Sequence, residues 1–80
     1  MLYRVGIDHG APEYVYEQLA ALLRARITAG EFPRRSKLPS LNDLIAQYEV
    51  ASMTVRKAID VLVDEGLVIK MPGRGNYVAL

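Results

Sequence analysis

The sequence predicts a mainly α-helical domain with a small β-hairpin (an α+β fold), arranged as a three-helix winged helix-turn-helix. Two observations lead to this prediction. Residues 38–57 indicate a short helix, a tight turn and a second helix that begins with small polar residues and then becomes basic. Residues 71–76, Met-Pro-Gly-Arg-Gly-Asn, form a glycine-bracketed basic turn soon after that helix. A helix pair followed by such a hairpin is typical of a winged helix.

The first helix is predicted to begin at Pro12 and to end at Gly30. Pro12 suits the first turn of a helix, because the N–H that proline lacks would have no partner there. Gly30 suits the left-handed position at which many helices end. Between them, apolar residues recur at helical spacing: Val15, Leu19, Leu22, Leu23 and Ile27. The chain thus divides into an N-terminal arm at residues 1–11, with a candidate short strand at residues 3–7, and a winged helix-turn-helix domain at residues 12–80.

The remaining elements follow from capping, periodicity and turn residues. Ser40-Leu-Asn-Asp43 is a capping box with Asp in place of the commoner Glu, and it predicts a helix that runs to about residue 48. A turn at residues 49–51 leads to a third helix at about residues 52–65, which Gly66 ends. The inward face of that helix is Val55, Ala58, Ile59, Leu62 and Val63. Two further segments have the composition of strands, residues 67–71 and 76–80.

The composition is that of an ordinary globular domain. Eighty residues, 51% of them hydrophobic and 24% charged, suffice for one domain with a thin core. The sequence has no cysteine, so it supports neither a disulfide framework nor a cysteine-based zinc site, and we predict no cofactor and no metal. The longest apolar run is residues 19–23, whereas a membrane span needs about 20 residues. We therefore expect no membrane partner and a location in the cytoplasm, at the nucleoid.

Charge distribution is more informative than the net charge, which is only +1. Basic residues form three clusters, before the second helix, within the third and beside the hairpin turn: Arg34, Arg35 and Lys37; Arg56 and Lys57; Lys70 and Arg74. Acidic residues lie elsewhere, at Glu13, Glu17, Asp60, Asp64 and Glu65. Any one cluster has an alternative interpretation as solvated surface charge. Three clusters at the three places where a winged helix touches DNA favour a nucleic-acid partner.

The third helix directs polar residues outward. With its apolar face turned inward, its outer face consists of Ser52, Met53, Arg56, Lys57 and Asp60, with Thr54 on the flank. Hydroxyl groups can bond to bases or phosphates, and arginine matches the two major-groove acceptors of guanine. Two alternatives stay open at this point. Ser52 and Thr54 could cap the helix, and Arg56 could form a salt bridge with Asp60.

Several motifs resemble those of the N-terminal DNA-binding domain of GntR-type bacterial transcription regulators. The matching segments are residues 16–19, 27–33, 38–40, 50–58, 62–68 and 72–78, which include Val-Ala-Ser-Met-Thr-Val-Arg-Lys-Ala and Pro-Gly-Arg-Gly-Asn-Tyr-Val. They occur in the order and spacing of the family and cover about residues 12–80. The resemblance implies a winged helix-turn-helix that binds an operator in double-stranded DNA, usually as a repressor controlled by a small metabolite.

The resemblance also implies which elements contact DNA. In the family these are the second helix, the start of the third helix in the major groove, and the wing tip at the minor groove or backbone. Here they correspond to residues 41–48, about 52–65 and about 67–80. Together with the basic cluster before the second helix, the candidate DNA-binding residues are Arg35, Lys37, Ser40, Asn42, Ser52, Met53, Thr54, Arg56, Lys57, Gly73, Arg74 and Gly75.

Three positions depart from the family pattern. Asn42 stands where the family usually has an arginine on the second helix, and Ser52 replaces a second arginine at the start of the third. Glu49 stands where the turn usually has glycine, which suggests a left-handed backbone there and places a negative charge near the phosphates. The operator sequence and the affinity for it therefore do not follow from the resemblance.

Other functional classes have less support. We expect no enzyme activity, because the single histidine, His9, lies in a predicted loop and no cysteine or acid pair accompanies it. A winged-helix protein–protein interaction module without specific DNA binding is the main alternative, since two DNA-binding arginines of the family are missing. The basic outer face of the third helix argues against that alternative. Single-strand binding would need exposed aromatic rings, whereas Tyr14, Tyr16 and Tyr77 are interpreted as partly buried.

The expected partners are an operator and a second copy of the chain. One domain of this size covers one half-site, so we expect a homodimer to form on the DNA. The apolar faces of all three helices are needed for one small core, which leaves no dimer seam in the isolated chain. An effector ligand is expected only if a C-terminal domain follows residue 80, as is usual in the family.

Overall fold

The structure, a computed structural model, describes residues 6–79. They contain three helices and one antiparallel sheet of two strands: α1 (Val15–Thr28), α2 (Leu41–Tyr48), α3 (Ser52–Asp64), β1 (Val68–Met71) and β2 (Gly75–Val78). This arrangement confirms the predicted three-helix winged helix-turn-helix with its β-hairpin wing. Residues 3–5 of the candidate N-terminal strand and the final residue of the chain lie outside the described residues, and residues 6 and 7 belong to no strand. None of the helices within residues 6–79 has the length and apolar character that crossing a membrane requires.

The start of α1 differs from the prediction, because the helix begins at Val15 instead of Pro12. The side chain of Gln18 accounts for the difference. Its carbonyl oxygen accepts a hydrogen bond from the Asp8 N–H (2.7 Å), and its amide donates to the carbonyls of Asp8 (2.8 Å) and Glu13 (3.0 Å). These bonds hold the preceding segment in a turn, so Pro12 lies in an exposed bend outside the helix.

One hydrophobic core joins the three helices to the wing. α3 packs against α1, α2 and β1, and its predicted inward residues are buried except for Val63, which is half-buried. The core consists of Leu19, Ala20, Leu23, Ile27, Leu38, Leu44, Val50, Val55, Ala58, Ile59, Leu62, Val68 and Val78. Burying one large aliphatic side chain contributes roughly 1.5–3 kcal/mol relative to leaving it exposed. These contacts therefore fix how α3 and the wing are oriented.

A short extended segment before α2 pairs with the wing, which the sequence did not predict. β1 and β2 pair in register from 68 opposite 78 to 71 opposite 75. Residues 36–38 pair with the other edge of β2, through a bridge between Lys37 and Tyr77 and a bond from the Leu38 N–H to the Asn76 carbonyl (2.8 Å). Leu38 precedes a proline, and such residues avoid the α conformation. The segment that leads into α2 is thereby attached to the wing.

Two exposed ion pairs connect α3 and its end to other elements. Arg24 on α1 donates two hydrogen bonds to the Glu65 carboxylate (both 2.7 Å), and these bonds lower the pKa of Glu65. Asp60 on α3 accepts a hydrogen bond from Lys70 on β1. The alternative in which Arg56 pairs with Asp60 is wrong, because the ion pair that Asp60 forms in the structure is with Lys70. None of the ion pairs in the described part of the chain includes Arg56.

The turn between α2 and α3 contains a glutamate in the left-handed conformation. Glu49 has φ 55° and ψ 53°, as the glycine usual in the resembling family led us to expect. The N–H groups of Glu49 and Val50 both donate to the Ile45 carbonyl, the second at 3.3 Å, and the Val50 side chain is buried. A residue other than glycine costs roughly 1–2 kcal/mol in this conformation. The hydrogen bonds and the buried valine hold the turn against that local cost.

We expect Glu49→Gly to raise the melting temperature, because glycine adopts this conformation without the steric cost. The gain in the free energy of unfolding should be about 1 kcal/mol or less, since glycine also increases the entropy of the unfolded chain. Thermal denaturation followed by circular dichroism measures the change. The matched control is Glu49→Ala, which removes the carboxylate, keeps the strain and should not reproduce the gain. A glycine variant that melts at or below the parent temperature would contradict the prediction.

Candidate nucleic-acid interface

The first turns of α3 present the predicted outer face. Ser52, Met53, Arg56 and Lys57 are exposed, and Thr54 is half-buried. The residue before the helix is an alanine, and no side chain caps this helix end, so the alternative in which Ser52 and Thr54 act as caps is wrong. The uncapped N–H groups of the first turn give this end of the helix a partial positive charge. Exposed polar side chains and a positive helix end therefore occur at the same place.

α2 begins with the predicted capping box. Ser40 Oγ accepts a hydrogen bond from the Asp43 N–H (3.0 Å), and the Asp43 carboxylate accepts one from the Ser40 N–H (3.2 Å). The cap uses the oxygen of the Ser40 hydroxyl, which leaves its hydrogen free to donate elsewhere. Asn42 in the first turn is exposed, and its amide can donate or accept. Two side chains at the start of α2 thus have hydrogen-bonding groups that face outward or stay uncommitted.

The tip of the wing is a tight turn that depends on glycine. The Arg74 N–H donates to the Met71 carbonyl (2.8 Å), with Pro72 and Gly73 between them. Gly73 has φ 77°, as the third position of a type II turn requires. Gly75, where β2 begins, has φ 111°, which ordinary side chains also disfavour. The turn leaves Arg74 exposed at the tip of the hairpin.

Gly75 also makes room for Lys37. A Cβ atom at position 75 would lie 2.7 Å from Lys37 Cε, closer than real Cβ atoms approach other heavy atoms. The methylene chain of Lys37 therefore crosses the wing backbone at this glycine. A groove of about 320 Å³ between the wing and the start of α2 has Lys37, Ser40 and Arg74 among its lining residues. Two cations and a hydroxyl donor thus surround one groove.

Arg35 lies in a strained turn that also meets the wing. Its φ is 64°, in the left-handed region where a side chain is disfavoured. The turn is closed by the N–H (3.1 Å) and the hydroxyl (2.6 Å) of Ser36, which both donate to the Pro33 carbonyl. A second hollow, of about 240 Å³, is lined by Arg35 and Arg74 together with strand residues of the wing. Arg74 therefore borders both hollows, with Lys37 in one and Arg35 in the other.

Lys57 extends from α3 toward the start of α1. Its Nζ lies 5.6 Å from the centroid of the Tyr16 ring, within the range of a cation–π contact. Tyr16 stacks on Tyr14, with ring centroids 6.0 Å apart and an angle of 15° between the planes. Tyr16 and Tyr77 are half-buried as predicted, but Tyr14 is 69% exposed, and its interpretation as partly buried is wrong. Because α1 begins only at Val15, the Tyr14 side chain precedes the part of the helix that packs on the core.

Comparison with known proteins decides the family. The family model described as bacterial regulatory proteins, gntR family, matches residues 15–78. The chain belongs to the GntR family. This result confirms the resemblance found in the motifs of the sequence, and it covers all three helices and both strands of the fold.

Curated GntR relatives match over most of this chain. It is 38% identical over 72 residues to YurK, an uncharacterised HTH-type transcriptional regulator of Bacillus subtilis. It is 35% identical over 75 residues to the HTH-type transcriptional repressor NagR of the same organism. The two matches cover 90% and 94% of this chain but only 30% and 31% of the relatives. The chain therefore spans less than a third of the length of these relatives, which are regulators rather than enzymes.

Solved structures show the same fold. YtrA from Sulfolobus acidocaldarius, a GntR-family transcription factor, matches with a TM-score of 0.85 and 33% identity, covering 95% of this chain and 80% of YtrA. AraR(DBD), solved in complex with operator ORE1, matches with a TM-score of 0.82 and 31% identity. That match covers 98% of this chain and 95% of AraR(DBD). A fold of this kind has therefore been solved in an operator complex.

The GntR-family chain has a reduced set of candidate cations. Asn42 and Ser52, which stand where the resemblance led us to expect arginines, are both exposed and uncharged. The cationic candidates that remain, all of them exposed, are Arg35, Lys37, Arg56, Lys57 and Arg74. Glu49 borders a different hollow, of about 710 Å³, together with His9 and Arg26. Glu49 is not among the residues that line the groove between the wing and α2.

Polar side chains that line the hollow beside Glu49 are partly bonded to one another. Arg26, which lines it, is already bonded to the Tyr48 hydroxyl (2.8 Å) and to the Glu31 carboxylate (3.1 Å). Within residues 6–79, no group of three or more His, Asp or Glu residues could hold a metal ion.

Alanine at Gly75 should destabilise the domain more than alanine at Gly73. Both substitutions place a side chain at positive φ, but φ 111° at Gly75 lies well outside the left-handed region that other residues occasionally adopt, whereas φ 77° at Gly73 lies near it. A Cβ at Gly73 would have nothing within 4 Å, and a Cβ at Gly75 would meet only the flexible end of the Lys37 side chain, which can move aside at small cost. The difference between the two melting temperatures should therefore persist when both variants are made in a Lys37→Ala background. A difference that disappears in that background would show that contact with Lys37, and not the backbone conformation, causes it.

Proposed function

We propose that this chain is the sequence-specific, double-stranded DNA-binding part of a bacterial transcription regulator, a repressor of the GntR type. The observation that supports the proposal most directly is the exposed, uncapped start of α3, whose Arg56 takes part in none of the ion pairs of residues 6–79. The chain also matches AraR(DBD), which was solved in complex with an operator, and DNA is a partner that suits an exposed basic surface. DNA binding therefore has more support than the protein-interaction alternative.

The start of α3 is proposed to enter the major groove. An exposed arginine can donate two hydrogen bonds to guanine O6 and N7, which suits Arg56. Ser52 and Thr54 offer hydroxyl groups to a base edge or a phosphate, and the positive helix end favours phosphate as well. Lys57, which lies against Tyr16, is proposed to contact the backbone rather than a base. Asn42 and Ser40 at the start of α2 would bond to phosphates at the edge of the groove.

The wing is proposed to contact the minor groove or the adjacent backbone. Arg74 at the tip is the leading side chain, since it is exposed and borders both cationic hollows. Gly73 allows the backbone of the turn to approach the duplex closely, because it has no side chain and nothing lies within 4 Å of its open side, whereas Gly75 has Lys37 lying over it. Arg35 and Lys37 would bond to phosphates beside the wing and increase the salt dependence of binding.

The regulatory role of the whole protein is proposed from the roles that its relatives have by name. NagR and the histidine utilization repressor of Klebsiella aerogenes are repressors by name, and we extend repression to this chain. The chain spans only 30% and 31% of the first two relatives, and we propose an effector ligand only if a C-terminal domain accompanies this one. We also propose a homodimer on DNA and a place in the cytoplasm at the nucleoid.

Selection of bound sequences from a random duplex pool tests the proposed function. We expect an enriched motif with two inverted half-sites, because one domain of this size covers only one half-site. A pool that gains no motif, or retention of the protein equally by all duplexes, would refute sequence-specific binding. A motif with one half-site only would refute pairing on the operator while leaving specific binding intact.

Arg56→Ala should weaken binding to the selected duplex by roughly 1–3 kcal/mol. The melting temperature should not change, because Asp60 pairs with Lys70 and not with Arg56. Fluorescence anisotropy measures the affinity, and circular dichroism the melting. Arg24→Ala is the matched control, since it removes an arginine that is paired with Glu65 and should leave affinity nearly unchanged. A fall in melting temperature with unchanged affinity for Arg56→Ala would assign that residue a structural role.

Arg74→Ala should reduce affinity and flatten its salt dependence. If the wing tip neutralises one phosphate, the slope of log affinity against log salt should fall by about 0.9. The measurement is a titration of the selected duplex at several salt concentrations. The control is again Arg24→Ala, which should leave the slope of the parent. An unchanged slope for Arg74→Ala would mean that the wing does not contact the DNA backbone.

The chain should be monomeric in dilute solution without DNA. The large apolar side chains of the three helices are mostly used in one core, so little apolar surface is left for a second copy. Sedimentation velocity of the free chain, and of the chain with the selected duplex, would show whether pairing requires DNA. A stable dimer without DNA would contradict this expectation and would direct attention to residues 1–11 as the interface.

A further inference from the structure

Met53 is a large apolar side chain that the core does not explain. It is 60% exposed, and it belongs neither to the core cluster nor to the partly buried residues packed against it. The other large apolar residues of α3 are buried or half-buried. An apolar side chain held in water at this position gains nothing in the free domain beyond its helix propensity. Its neighbours on the exposed face of the helix are polar, which makes it an isolated apolar contact point.

The position of Met53 is one from which a side chain can reach base edges. It is the second residue of α3, and the N-terminal residues of the recognition helix face the bases in a helix-turn-helix. Arg56 follows three residues later, on the same face of the helix. An apolar contact point and a guanidinium are therefore neighbours on the surface that is proposed to enter the major groove.

The most prominent apolar group in the major groove is the C5 methyl of thymine, whereas cytosine has only a hydrogen at that position. The other major-groove groups that distinguish the bases are hydrogen-bond donors and acceptors, and covering one with a thioether would remove its water without replacing the hydrogen bond. Methionine is unbranched and adapts to an irregular surface. We propose that Met53 contacts a thymine methyl, next to a guanine bonded by Arg56, and so selects thymine at that position of the half-site. This inference rests on the proposed function, and it adds which base is selected at one position of the half-site.

The test removes the methyl group alone. Starting from the motif selected from the random pool, each thymine is replaced in turn by deoxyuridine, which keeps base pairing and every polar group. For the parent chain, we expect one thymine per half-site whose replacement weakens binding roughly fourfold, the effect of one buried methyl group. Met53→Gln, which keeps the length but not the apolar end, should bind equally to thymine and deoxyuridine there. Met53→Leu keeps an apolar end and should retain the preference.

Three outcomes would overturn the proposal. The first is a parent chain that is indifferent to deoxyuridine at every thymine. The second is a preference that survives in Met53→Gln, because another residue or the shape of the DNA would then select thymine. The third is a preference that is also lost in Met71→Gln, a control that replaces the exposed methionine of the wing. Failure of the proposed function is distinguishable from all three, since the random pool would then yield no motif.

Discussion

Packing of α3 against α1 is the interaction on which the candidate interface depends. Leu19 and Leu23 of α1 and Val55, Ile59 and Leu62 of α3 are almost completely removed from solvent. Because these residues occupy the inward face, the helical repeat places the polar and basic residues on the opposite face. Any rotation of α3 about its axis would expose core residues and bury unpaired charges, which are both unfavourable. The core therefore determines which side chains α3 offers to DNA, although none of its members would touch the duplex.

The wing and the start of α2 share a second constraint, the pairing of residues 36–38 with β2. This pairing places Lys37 over the wing backbone and fixes the chain that enters the capping box of α2. The ion pair between Asp60 and Lys70 connects the same hairpin to α3. The three candidate contact regions are therefore tied to one another by backbone pairing and side-chain bonds rather than held by separate loops. Preorganisation of this kind reduces the entropy that would be lost on binding.

Features that depend on neighbouring residues in the chain were predictable, and those that depend on distant ones were not. The capping box at Ser40 predicted α2, and the spacing of apolar residues predicted which face of α3 is exposed. The start of α1 was not predicted correctly, because the hydrogen bond from the Asp8 N–H to the Gln18 side chain spans ten residues and leaves no periodic pattern. The pairing of residues 36–38 with β2 and the ion pair between Asp60 and Lys70 likewise join segments that only the fold brings together. Candidate site residues were identifiable from charge and family resemblance, but the contact of Lys37 with Gly75 was not.

The strand-like pairing of residues 36–38 bears on how operator preference can be changed by engineering. A chimaera that exchanges α3 alone would keep the wing and its cations in the geometry of the host protein. A chimaera that exchanges the hairpin alone would pair residues 36–38 of the host protein with a β2 strand from another protein. Lys37 would then lie against a residue with which it does not pack in the parent. The smallest unit that keeps these pairings intact is the continuous stretch from Ser36 to Val78, which contains α2, α3, the wing and both edges of β2.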